Sequence, residues 1–198
     1  MSEKRRPADS AGQEDLSFRT IFKRSFGEYK HLRTLVLAAS FIAVQLVLNL
    51  FRITITPELR ISMGFLGGSM IGMLFGPSVS VFTAAIGDIL GYFLKPEGGY
   101  FFGFTVTAMA GGLISGLVLY KKKPNLWRCV LDRGLVAILC NMALNSLWLS
   151  IISGKAIWVL LPARIVKNLV MWPIEAVLLM LVGMIVYRVN KRMSAQSR

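Results

Sequence analysis

Histidine and cysteine are almost missing from this chain. One histidine and two cysteines occur in 198 residues. His31 lies in a polar N-terminal tail, so histidine-dependent phosphatase or protease chemistry has no base inside the apolar segments. Cys129 and Cys140 stand in or beside one expected helix, at a spacing that is not i,i+4. Two such thiols are a poor zinc or disulfide framework, and they read as packing residues; no metal site is expected. No Walker A sequence and no G-x-S-x-G occur. No catalytic residue is therefore nominated, and the chain is not expected to be an enzyme. Charge is scarce as well: 17% of residues are charged, against about 25% in an ordinary soluble domain. No signal peptide is evident, because the first thirty or so residues are polar and lack a cleavage pattern. Nor is there a clear inverted repeat, which counts against a self-sufficient secondary transporter.

What is present is apolar and comes in runs. Hydrophobic residues make up 55% of the chain and the mean hydropathy is +0.59. Six apolar segments are expected, at about 34–51, 61–75, 78–94, 101–120, 130–152 and 161–188. Each must be helical, since lipid cannot satisfy open backbone groups. Segments two and three are short for a bilayer that needs about 20 residues. Gly76-Pro77 divides them. Pro162 suits the first turn of the sixth helix, and Pro173 is a candidate kink. The expected fold is an all-α integral membrane protein: a six-transmembrane-helix bundle over 34–190, between a basic tail at 1–33 and a short tail at 191–198. Within the first tail, the Phe18–Phe26 stretch reads as a short amphipathic helix on a membrane surface.

The net charge of +13 would indicate nucleic acid in a soluble protein. Here the basic residues flank hydrophobic runs, so orientation explains them better, and no nucleic-acid partner is expected. Lysine and arginine concentrate in the N-terminal tail, around Lys121-Lys122-Lys123 and at the C-terminus. Both termini are then cytoplasmic, and the 1–2, 3–4 and 5–6 connections face outside.

Polar groups at membrane depth mark the candidate site. Asp88 sits inside the third segment, where a charge costs about 2.5–3.5 kcal/mol on insertion scales. The run Gly98-Gly99-Tyr100-Phe101-Phe102-Gly103-Phe104 follows it and reads as a lid. Asn141, Asn145 and Trp148 recur at i, i+4, i+7 and share one helix face. Arg164, Asn168, Met171 and Glu175 share a face of the sixth helix, with Lys167 nearby; Gln45 and Asn49 share one on the first. Arg60 is expected at the outer end of the second helix. The arginines suit a carboxylate, a buried acid can accept paired N–H donors, and Trp148, Tyr100, Phe101 or Phe104 can stack on a flat ring. The alternative is a membrane scaffold without a ligand, in which the same groups only brace helices.

Several motifs in order carry a family resemblance over about 33–190: Ala39-x-x-x-Ala43, Pro57-Glu58-Leu59-Arg60, Leu74-Phe75-Gly76-Pro77, Gly87-Asp88-Ile89-Leu90-Gly91-Tyr92, Gly98-Gly99-Tyr100-Phe101, Asn145-x-x-Trp148 and Pro162-Ala163-Arg164-Ile165-Val166-Lys167-Asn168. The chain resembles the substrate-binding (S) components of energy-coupling factor (ECF) vitamin transporters, most closely the folate-specific group. The resemblance implies a bacterial multi-pass cell-membrane protein that binds its vitamin from outside and docks on a transmembrane coupling subunit driven by two ATPases. It implies no cofactor in this chain; ATP is used by the partners. Ala39 and Ala43 match the alanine motif that contacts the coupling subunit. A folate-like ligand would place its pterin deep and its glutamate outward. The ligand-binding candidates are then Arg164, Lys167, Asn145, Trp148, Asp88, Arg60 and Phe104. An S component for pantothenate or a thiamine precursor is the near rival.

Overall fold

The computed structural model describes residues 21, 22, 25, 32–51, 53–56, 59–96 and 99–196. The first helix, α1 (Leu32–Leu50), follows from an uncharged apolar run that starts at Thr34. A two-stranded antiparallel hairpin comes next, β1 (Ile53–Thr56) and β2 (Leu59–Ile61), in which Thr54 pairs with Arg60. Its first strand, Ile-Thr-Ile-Thr, is wholly β-branched, which favours extended backbone. Arg60 therefore stands in a strand and not at a helix end, and its side chain lies outside the described residues. The second helix starts later than the hydrophobic run implied.

Helix α2 (Phe65–Phe75) ends at Gly76, whose φ of 87° is open to glycine but strained for other residues. Pro77 then starts α3 (Pro77–Leu94) from its first position, where a missing N–H costs nothing. With 11 residues α2 is about 16 Å long by helix rise, well short of a bilayer core. Helix α4 (Phe102–Leu119) packs along both. At its far end Gly116 lies against the Pro77 backbone, where an added Cβ would collide with Pro77 Cα. Such small residues let backbones touch without side chains between them.

The fifth apolar segment is one long rod in three parts: α5 (Leu126–Leu135), a π-helical stretch over Val136–Leu144, and α6 (Asn145–Ser153). Asn125 caps it through a bond from the Leu126 N–H. Gly154, left-handed at φ 66°, closes it. The last helix, α7 (Ile157–Gln196), runs for 40 residues. It begins before Pro162, so that proline lies inside the helix, as Pro173 does, and not in its first turn. Among the described residues, four stretches are long and apolar enough to cross a membrane: Pro77–Leu94, Phe102–Leu119, Leu126–Ser153 and Arg164–Asn190. Helices α1 and α2 are shorter and apolar. The architecture is thus a helical membrane bundle with one small hairpin.

Two apolar clusters hold the bundle. Met70, Met73, Leu119, Cys129, Ala176 and Leu179 join α2, α4, α5 and α7; Ala38, Ile42, Ile71, Phe75 and Val79 join α1, α2 and α3. Both cysteines are free and buried. Most of the expected Phe18–Phe26 surface helix lies outside the described residues. Of the part that is described, Ile21 and Ser25 are buried against the bundle. Ser25 Oγ donates to the Phe75 carbonyl at 2.8 Å and accepts from the Ser78 N–H at 3.1 Å. It thereby satisfies two backbone groups left over at the Gly76-Pro77 break.

Candidate functional site

A cavity of about 490 Å³ opens between the helices at the end that carries the hairpin. That volume falls in the range of about 300–1,000 Å³ typical of small-molecule sites. Its rim is made by the C-terminal ends of α1 and α3 and by the start of α4. There Asn49, Ser62, Lys95, Tyr100 and Phe101 line it. Ser62 Oγ donates to Asn49 Oδ1 and accepts from the Gly64 N–H, which fixes the passage from hairpin to α2.

Asp88 lies in the wall just below this rim. Its Oδ2 accepts from Thr105 Oγ1 at 2.7 Å, and Tyr100 Oη stands 2.6 Å from the same hydroxyl. Tyr100 also packs edge-on against Tyr92, with ring centroids 5.3 Å apart. Asp88 is thus tied to the aromatic run that follows α3. No hydrogen bond from an arginine reaches it among the described residues.

Phe104 lines the cavity, while Trp148 does not. Trp148 stands behind Phe101, with centroids 5.6 Å apart, and donates Nε1–H to Thr107 Oγ1 at 3.0 Å. The expected shared face of Asn141, Asn145 and Trp148 presupposed α-helical spacing from end to end. The π stretch between Leu135 and Asn145 breaks that phase. Asn141 and Asn145 keep to the cavity, and Trp148 turns onto α4.

Arg164, Lys167, Asn168, Met171 and Glu175 of α7 form the opposite wall. Arg164 is 5% exposed, and its Nη1 donates to the main-chain carbonyl of Asn141 at 2.9 Å. Asn141 Nδ2 reaches toward Asn168 Oδ1 at 3.4 Å. Arg164 and Lys167 both lie on α7 and give this wall two cationic groups.

The deep end holds a charged group that is not among the expected ligand-binding candidates. Arg133 is 4% exposed, and its Nε and Nη2 both donate to Asp132 Oδ2, at 3.0 and 2.9 Å. Nη2 also donates to Ser69 Oγ at 3.1 Å and Ser115 Oγ at 3.3 Å. Nη1 lies 3.8 Å from Glu175 Oε2, and the guanidinium covers the Phe65 ring at 5.0 Å. One side chain therefore ties α2, α4 and α7 to α5. The adjacent charges Asp132-Arg133 inside an apolar run were the available signal. Among the described residues no group of three potential metal ligands is found.

A cavity with mixed polar and apolar lining inside a helical membrane bundle, with Arg164 and Lys167 on one wall and aromatic rings at its mouth, defines a membrane-embedded ligand-binding subunit. Residues 33–183 match the family model for the substrate-specific component of ECF transporters. The chain belongs to that family. Two relatives, each named folate transporter FolT, are 37% identical over 150 residues. The one from Clostridium novyi (strain NT) aligns over 76% of this chain and 87% of its own length, and the one from Leuconostoc mesenteroides over 72% and 80%. A crystal structure of FolT bound with folic acid matches with a TM-score of 0.72 at 34% identity, covering 77% of this chain and 93% of that one.

Proposed function

We propose that this chain is the folate-binding S component of an ECF-type importer. The observation that carries the reading is the agreement between the cavity and the relatives. A cavity with Arg164 and Lys167 on one wall and an aromatic rim lies in a chain that resembles folic-acid-bound FolT along most of its length. A folate carries carboxylates for the guanidinium and ammonium groups and flat rings for Phe101 and Phe104. Asn145 would frame the ligand beside them, Trp148 would act through Phe101, and Asp88 would hold the rim. Arg60 belongs to the same proposal as a carboxylate contact at the mouth.

The bundle would cross the bacterial cell membrane six times over 34–190. Helices α1 and α2 would lean on longer neighbours, and the basic tails at 1–33 and 191–198 would be cytoplasmic. The cavity mouth then faces outside. Ala39 and Ala43 are exposed on α1, and a coupling subunit could approach that helix closely there. Hydrolysis of ATP would belong to the two ATPase partners, with no cofactor in this chain.

The test is a tryptophan-fluorescence titration of the purified protein with folate, pantothenate and thiamine. Tight, saturable quenching by folate alone is expected. Tight binding of another vitamin without folate would reassign the substrate, and no binding at all would favour a scaffold.

A further inference from the structure

Only two carboxylates line the cavity among the described residues, Asp88 and Glu175. They are not equivalent. Asp88 sits at the rim and already accepts a hydrogen bond from Thr105. Glu175 lies on α7 eleven residues beyond Arg164 and eight beyond Lys167, about 12 Å further along the helix than Lys167 by helix rise. Among the described residues no hydrogen bond reaches its carboxylate. Its nearest cationic atom, Arg133 Nη1, is 3.8 Å away, beyond hydrogen-bond distance. Arg133 is not free to close that gap, because Asp132, Ser69 and Ser115 hold its other nitrogens. A carboxylate has about four acceptor positions. Leaving them unfilled at membrane depth is costly unless something in the cavity donates to them.

We infer that Glu175 is the acceptor for the donor-bearing edge of the ligand's heterocycle, a ring N–H beside an exocyclic amino group. The α7 wall then has a polarity: cations nearer the mouth and an anion at depth. An elongated ligand with an acidic tail and an aminated ring matches it in one direction only. Arg133 is a positioning residue in this arrangement, since it presents an opposite charge to Glu175 without consuming its lone pairs. The inference rests on the folate reading, where the edge is that of the 2-amino-4-oxopyrimidine.

The experiment compares folic acid with 2-desaminofolate, which keeps the ring N–H and lacks the amino donor. Wild-type protein should bind folic acid roughly 10- to 100-fold more tightly, as expected for losing a hydrogen bond to a charged group. E175Q should weaken folic acid by a similar factor and largely erase the difference between the two compounds. E175D should lower folic acid affinity more than that of 2-desaminofolate, which has one donor to the carboxylate and not two; this serves if E175Q does not fold. Equal weakening of both compounds would make Glu175 structural and overturn the inference. So would unchanged folic acid affinity in E175Q, or loss of the discrimination in D88N while E175Q keeps it. Wild-type protein that binds neither compound would remove the folate reading itself, a result distinct from all of these.

Discussion

Arg164 donates from Nη1 to the main-chain carbonyl of Asn141 at 2.9 Å. The acceptor lies inside the π-helical stretch, where the backbone departs from the α-helical bonding pattern. The contact fixes the guanidinium on the cavity wall. R164A should weaken folate binding roughly 10- to 100-fold, the usual size for a lost charge-assisted hydrogen bond. R164K should fall between, because an ammonium keeps charge without the planar fork. Fluorescence titration of each variant checks this, and an unchanged dissociation constant for R164A would take the residue out of the site.

A second prediction concerns the deep network. Asp132 is fully buried and its Oδ2 depends on Arg133 for both of its hydrogen bonds. R133M should cost about 3–5 kcal/mol of stability, because it leaves a buried charge uncompensated. The double variant D132L/R133M should be milder than R133M alone, since both charges are then gone. Thermal unfolding in detergent gives the order. A double variant that melts below the single one would show that the pair stabilises beyond compensating its own burial.

Much of this fold was legible from the order of apolar runs and their punctuation. Gly76-Pro77 read as a break and is one, for the reason expected of those residue types. Other features had no usable signal. Val136–Leu144 is an ordinary apolar sequence, so its π geometry could not be read from periodicity, and the face carrying Trp148 was misjudged as a consequence. The hairpin was different. Ile53-Thr54-Ile55-Thr56 before Pro57 is a β-branched run beside a turn residue, and a strand reading was available. The expected segments at 34–51 and 61–75 leave it instead inside the outward-facing 1–2 connection. Arg133 follows the basic Lys121-Lys122-Lys123 connection in sequence, where a positive charge signals only orientation, and packing alone shows it inside the bundle.

The placement of Trp148 leads to a third prediction. Phe101 lines the cavity and Trp148 supports it from behind, anchored by Thr107. F101A should therefore weaken folate more than W148F does. W148F keeps a ring against Phe101 and loses only the indole N–H bond, worth about 1 kcal/mol. Equilibrium dialysis with radiolabelled folate is the suitable measurement, because W148F also removes a fluorophore. A larger loss in W148F than in F101A would put Trp148, and not Phe101, against the ligand.

The last prediction separates binding from transport. Ala39 and Ala43 lie one turn apart on α1. Both are exposed, beside the exposed Val36, Val44 and Val47. Neither lines the cavity. Tryptophan at both positions adds bulk on the side of α1 away from the ligand. The A39W/A43W variant should keep wild-type folate affinity in purified form and lose most folate uptake in cells that express the complete transporter. Small residues permit backbone approach between helices, and a pair of indoles would hold a partner helix away. Binding and uptake lost together would mean that the substitutions disturb the bundle itself. Uptake retained in full would place the docking face elsewhere, most simply on another exposed helix such as the outer side of α3, where Phe82, Ile86 and Phe93 are also exposed.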